Sequence, residues 1–226
     1  MSWSGRARVA AALGCMTLAA LAPPAAAHPC KLKPIVFRAE GAPKPWSTAA
    51  DLDRLVADGG FRKSNAIPPG QTRRHGIAET IVQAEPASVL ESIQRYADYR
   101  ELAPKKFKTS RVVAISKTGQ SDVYMQLSVL RGALTLWLTM RFEPPRVLDS
   151  GARVIESHYL DGNLAGAHVR YVIEGAGEHQ TYVRLELLID LPVPAPQDAI
   201  DEELRDAAGD AVRGVRTRFA SPSPQR

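Results

Sequence analysis

Cysteine is scarce in this sequence of 226 residues, and its scarcity excludes a disulfide framework. The chain has two cysteines, Cys15 and Cys30. Cys15 lies in an N-terminal stretch that we expect to be removed, which leaves Cys30 without an intramolecular partner. The length of the remaining chain is typical of one domain of ~150 residues. We therefore expect an ordinary hydrophobic core to hold the fold together.

The sequence motifs of common catalytic and nucleotide-binding sites are also missing. The sequence contains no nucleophile elbow, P-loop, GxGxxG fingerprint or CxxC pair. Without these motifs, catalysis is the weaker hypothesis, and we expect no metal and no cofactor.

A strong charge imbalance is missing too. Without Arg6 and Arg8, which lie in the stretch that we expect to be removed, 27 of the 29 basic residues remain against 24 acidic ones, a net charge of +3. A charge this small does not argue for nucleic acid as a partner.

Residues 1–27 have the pattern of a secretory signal peptide. A basic start is followed by an uncharged apolar run over residues 9–22, and residues 25–27 are alanines that a signal peptidase accepts. The apolar run is shorter than the ~20 residues of a membrane-spanning helix. We expect cleavage before His28 and a secreted or periplasmic mature chain.

The mature chain divides into three parts. Residues 28–72 are predicted to be a proline-rich arm with one short helix, which ends at Gly59 and Gly60. Residues 73–220 are predicted to be the folded domain, and residues 221–226 a disordered tail. The domain begins with a strand, continues with a helix started by Pro86, and then shows period-two alternation typical of β-strands. A long final helix begins near Asp198 and runs to about Phe219.

The order of one strand, a helix, six strands and a long helix resembles the helix-grip fold. The residues that carry the resemblance are AEPASV at 84–89, YADY at 96–99 and SRVV at 110–113. They are similar to the START-like (SRPBCC) superfamily, which includes polyketide cyclases, coenzyme Q-binding proteins and plant pathogenesis-related ligand binders. The resemblance implies an α+β fold in which a curved antiparallel sheet wraps around the C-terminal helix. It also implies an apolar cavity between the sheet and that helix.

The middle of the final helix is rich in small residues at positions 207–214. They could leave room for a ligand, or they could let the helix pack closely on the sheet; both interpretations stay open. On the first interpretation, the predicted cavity residues are Met125, Leu127, Leu136, Leu138, Met140, Tyr171, Leu185, Leu187, Leu204, Ala208, Ala211 and Val215. We predict a monomeric binding protein for a hydrophobic small molecule, such as a lipid, a quinone or a polyketide-like compound.

Two alternatives depend on other residues. Glu156 and His158 share one strand face, and a tight turn would place His168 opposite Glu156. A cyclase or hydratase could then use Tyr171, His158 and Glu156 as acids or bases, whereas a solvated polar patch is the simpler interpretation. An interaction module is the other alternative. A basic patch around an exposed aromatic could contact a membrane surface or a partner, or could be an ordinary charged loop; it comprises Lys105, Lys106, Phe107, Lys108 and Arg111.

Overall fold

The computed structural model describes residues 49–68, 71–191 and 195–220. The predicted signal peptide, Cys30, about half of the arm and the C-terminal tail lie outside these ranges.

The described residues form one antiparallel sheet of nine strands with four α-helices. The strands are β1 Phe61–Ala66, β2 His75–Val82, β3 Phe107–Ile115, β4 Ser121–Val129, β5 Leu134–Phe142, β6 Arg146–Val147, β7 Arg153–Gly162, β8 Gly166–Gly177 and β9 Gln180–Asp190. The helices are α1 Ala49–Ala57, α2 Pro86–Gln94, α3 Tyr99–Leu102 and α4 Gln197–Phe219. The strand order is β1-β2-β9-β8-β7-β5-β4-β3, and β6 pairs with β7.

Alternation along the strands decides which face of the sheet is buried. In β4, the side chains of the apolar set that starts at Val123 are buried, and those between them are partly exposed. The same rule holds in β5, where Trp137 keeps 38% of its surface exposed. The buried faces of these strands join the apolar face of α4 in one continuous core.

Strand β1 lies in the segment that we interpreted as an arm, and the sequence analysis did not predict it. Its sequence, FRKSNA, has no β-branched residue and no apolar alternation. It forms nonetheless because the next strand, β2, supplies a complete antiparallel register from Thr80 to His75. Strand β2 is buried along its whole length. It packs on α4 and, through Ile81, on α1.

Two glycines bring α4 very close to its neighbours. A Cβ atom at Gly76 of β2 would overlap the carbonyl group of Leu204 in α4. A Cβ atom at Gly214 of α4 would overlap the carbonyl group of Leu102 in α3. The sheet and α3 therefore hold α4 at two points where no larger residue fits. Among the described helices, none combines the length and the apolar character that a membrane span requires.

Candidate ligand cavity

An apolar cavity lies between the inner face of the sheet and α4. Strands β4, β5, β8 and β9 form most of its wall, and the helix contributes Ala207 and Ala211. The predicted residues that line it are Met125, Leu127, Leu138, Met140, Tyr171, Leu185, Leu187 and Ala211. The other predicted residues, Leu136, Leu204, Ala208 and Val215, are buried in the surrounding core and do not line the cavity.

The cavity is narrow. Its cavity volume is about 60 Å³. Typical ligand pockets hold ~300–1,000 Å³. A lipid-sized molecule could therefore enter only if the helix and the sheet moved apart, whereas a small apolar group fits without such movement.

The small residues of α4 serve two different purposes. Ala207 and Ala211 face the cavity, so their missing side-chain volume is part of the open space. Ala208 is fully buried outside it, and Gly214 permits the close contact with Leu102. Small residues of α4 therefore border open space at one set of positions and permit close packing at another.

Two tyrosines supply buried polar groups to the otherwise apolar wall. Tyr99 and Tyr171 line the cavity and are 4% and 3% exposed. Burial, followed by the proximity of the Tyr171 hydroxyl, raises the pKa of Tyr99 well above its ordinary value. The Tyr99 hydroxyl has no hydrogen-bond partner of normal geometry among the described residues. An unsatisfied buried hydroxyl costs ~1–3 kcal/mol.

An ion pair links one lining residue of the cavity to α4. Lys106, which lines the cavity, pairs with Glu203 of α4, and both side chains are mostly buried. The second carboxylate oxygen of Glu203 accepts a hydrogen bond of 3.0 Å from the backbone N–H of Leu130. Leu130 and Arg131 adopt positive φ angles of 51° and 56° in the β4–β5 connection. One carboxylate therefore joins α4, this connection and the segment before β3.

Known proteins that resemble this chain were found by structure. No family model and no curated protein matches the sequence. A START superfamily protein from Mycobacterium smegmatis matches with a TM-score of 0.52 and 16% identity, over 63% of this chain and 94% of its own. A STAR-related lipid transfer protein from Xanthomonas axonopodis matches with a TM-score of 0.59 and 11% identity, over 72% and 94%. Human StAR-related lipid transfer protein 5 matches with a TM-score of 0.55 and 10% identity, over 76% and 96%.

The chain has the START-like, helix-grip fold. The predicted α+β architecture is thereby confirmed. At these identities the likeness concerns the fold alone, and the functional residues must be read from this chain itself.

The candidate acids and bases do not meet in the cavity. Tyr171 lines it, whereas His158 lies on the opposite face of the sheet and contacts Glu143 at 2.7 Å. Glu156 accepts a hydrogen bond of 2.8 Å from Arg170 on that same outer face.

The predicted position of His168 was wrong by two residues. His168 lies opposite His158, and Arg170 lies opposite Glu156. No group of three potential metal ligands occurs within the described ranges.

The outer face instead carries a network of paired charges. Burial alone would raise the pKa of Glu79, but hydrogen bonds from Arg62 and Tyr182, together with the charge of Arg184, outweigh it and lower that pKa. Arg184 also bonds Glu186 at 3.0 Å. Pairing of this kind satisfies buried charges and indicates a structural role.

The predicted basic patch is divided by the fold. Phe107, which we expected to be exposed, packs against the core and lines the cavity, and its neighbour Lys106 is held by Glu203. Arg111 stacks over the ring of Tyr124, with 4.9 Å between its guanidinium carbon and the ring centroid. Lys105, Lys108 and Arg111 are the exposed cations of the set.

Tyr99, which the sequence analysis left out of the cavity, lines it together with Phe107 and Phe142. The apolar stripe of α2 gave no indication of Tyr99, because the helix ends at Gln94 and the backbone of Arg95 leaves the helical conformation. A short 3-10 turn, Tyr96–Asp98, then re-aims the chain so that Tyr99 begins a separate helix. The YADY sequence at 96–99 carried the resemblance to the START-like superfamily. Helical periodicity, however, could not predict which side of the fold the Tyr99 side chain would face.

Proposed function

We propose that this protein binds a hydrophobic or amphipathic small molecule in the cavity between the sheet and α4. The observation that carries the proposal is an almost wholly apolar cavity at this place in the fold. Two of the similar structures are named lipid transfer proteins, which supports the same class of ligand.

Desolvation provides the affinity in this proposal. Each Å² of apolar ligand surface that leaves water contributes ~25 cal/mol. The lining supplies aliphatic and aromatic side chains on every wall, and its one lysine is already paired with Glu203. Opening of the contacts that Glu203 makes to Lys106 and Leu130 would admit the ligand at the rim.

Binding is favoured over catalysis because of where the titratable groups lie. Burial raises the pKa of Tyr171, so its hydroxyl stays protonated near neutral pH. Glu156 and His158, the other candidates, have their contacts on the outer face. General acid–base work needs at least one group that exchanges protons near the working pH and reaches the substrate.

A fluorescence titration with N-phenyl-1-naphthylamine, a neutral apolar dye, tests the proposal. We expect a saturable rise in emission at one site per chain, reversed by a lipid extract. Ala211→Leu, which places a larger side chain in the cavity, should abolish the saturable phase. A linear, unsaturable response of the folded wild-type protein would contradict the proposal.

We further propose that the protein acts after export, on the basis of the signal-like residues 1–27. The mass of the protein purified from its own cells tests this directly. A mature chain that begins at His28 supports export, and a chain that retains residues 1–27 contradicts it.

A further inference from the structure

The Tyr99 hydroxyl is a buried hydrogen-bonding group on a side chain that lines the cavity, and its contact with the Tyr171 hydroxyl does not reach the geometry of a normal hydrogen bond. Buried polar groups nearly always have a partner. Where one does not, and the group borders an open space, a bound molecule is a natural source of the missing contact.

The Tyr99 ring cannot easily turn its hydroxyl elsewhere. It packs edge-on against Tyr96 at 5.8 Å, Phe107 at 5.5 Å and Phe142 at 6.2 Å between ring centroids. A ring enclosed on three sides keeps its orientation, and rigid placement is what a specific contact requires.

Tyr171 brings a second hydroxyl to the same place. It lies on the inner face of β8, opposite Ile155 of β7 and Leu185 of β9. Burial raises the pKa of both tyrosines, and the Tyr99 and Tyr171 hydroxyls are close enough to influence each other. Both therefore keep their protons and remain able to donate.

The charges around the cavity restrict which chemical group of a ligand can bind beside the two tyrosine hydroxyls. The lining contains one charged residue, Lys106, and Glu203 neutralises it. A carboxylate or phosphate beside the tyrosines would be buried without a countercharge, which is strongly unfavourable. A neutral oxygen acceptor suits the place, because it gains a hydrogen bond at a small cost of desolvation.

We propose that the ligand is an uncharged apolar molecule carrying a carbonyl-type oxygen, which accepts a hydrogen bond from Tyr99 beside the Tyr171 hydroxyl. This assignment rests on the proposed function, because it names the polar end of a molecule bound in the same cavity. It narrows the class to ketones, quinones, esters and similar neutral compounds.

A matched pair of probes tests the assignment. One probe is 6-propionyl-2-(dimethylamino)naphthalene, a ketone, and the other is the 6-propyl analogue, which lacks the oxygen. We expect the wild-type protein to bind the ketone about tenfold more tightly than the analogue, the value of one good hydrogen bond. Tyr99→Phe should remove that preference and leave the affinity for the analogue unchanged.

Tyr124→Phe is the control. Tyr124 lies on the outer face, where its hydroxyl accepts a hydrogen bond of 2.9 Å from Gln126, so this variant should keep the preference for the ketone. Tyr99→Phe removes an unsatisfied hydroxyl and should therefore fold at least as stably as the wild type.

The outcomes separate the two proposals. A ketone preference that Tyr99→Phe removes and Tyr124→Phe retains supports the tyrosine contact. Equal affinities for both probes, in the wild type and in Tyr99→Phe, overturn it and leave the proposed function standing. If the folded wild-type protein binds neither probe, both proposals are overturned.

Discussion

At the scale of single residues, two glycines of α4 differ in what surrounds them. Gly214 allows α4 to touch the backbone of α3 at Leu102, whereas the atoms nearest to a Cβ at Gly209 of the same helix belong to side chains. The two glycines look equivalent in the sequence. Their surroundings predict opposite responses to the same substitution.

Gly214→Ala should destabilise the protein by at least ~2 kcal/mol, because a backbone carbonyl cannot move aside as a side chain can. Gly209→Ala is the matched control. Its Cβ would meet Arg213, Lys63 and Phe61 at 3.2–3.4 Å, contacts that side-chain rotation relieves. Alanine also favours the helix by ~1 kcal/mol, so this variant should stay within about 1 kcal/mol of the wild type. Urea unfolding measures both, and equal losses would contradict the close approach at Gly214.

His168 predicts how stability depends on pH. Burial, followed by the nearby His75, lowers the pKa of His168 from 6.5 to about 3. The unfolded chain therefore takes up a proton below pH 6.5 that the folded protein does not take up until pH 3. Stability should be fully present above pH 6.5 and should fall by ~1.4 kcal/mol per pH unit below it. Burial also lowers the pKa of His75, which steepens the slope.

Urea unfolding between pH 5.5 and 7 checks this expectation in a window above the unfolded-state pKa of 4.5 of carboxylates such as Glu79 and Glu143. His168→Gln should reduce the slope by about 1.4 kcal/mol per pH unit. Parallel slopes for the wild type and the variant would show that His168 does not carry this dependence.

At the scale of elements, α4 combines two duties along one helix. One set of its residues is packed solidly, and another borders open space, as Ala208 and Ala211 illustrate. The sequence showed that the middle of the helix is rich in small residues. It could not show which of them pack solidly and which border the cavity, because that depends on where the neighbouring elements lie. The rotation of α4 is set by Gly76 and Gly214, whose contacts are far apart in the sequence.

Ala211→Leu and Ala208→Leu separate these duties by experiment. Ala211→Leu places its added carbons in the cavity and should change the free energy of unfolding by less than ~1 kcal/mol, since it buries apolar surface without displacing atoms. Ala208→Leu overpacks a filled site and should cost ~1–3 kcal/mol. Equal destabilisation by both would mean that the space beside Ala211 is not open.

The fold could be predicted from its elements to a large extent, and for a physical reason. The alternation in β4 and β5 and the start of α2 at Pro86 are local signals, and the structure contains each of them. Strand β1 was missed because its pairing with β2, and not its own sequence, makes it a strand. The position of His168 was wrong because strand register depends on the turn between the strands.

At the scale of the whole molecule, the two faces of the sheet differ in character. The inner face holds the cavity and α4, and the outer face holds paired charges such as Arg184 and Glu186. The residues suggested for catalysis failed to meet because Tyr171 and His158 lie on different faces. Tyr171, one of the predicted cavity residues, lies on the inner face. Sequence alternation could not predict that a tyrosine from α3, Tyr99, would lie beside it.

The central claim is that the cavity beside Ala211 holds an apolar molecule. Native mass spectrometry of the protein purified from its own cells, followed by solvent extraction, tests it most directly. We expect an added mass on the wild-type chain, recovered as a neutral apolar compound and absent from Ala211→Leu prepared in the same way. A folded wild-type protein that carries no added mass and takes up none from a lipid extract would contradict the claim.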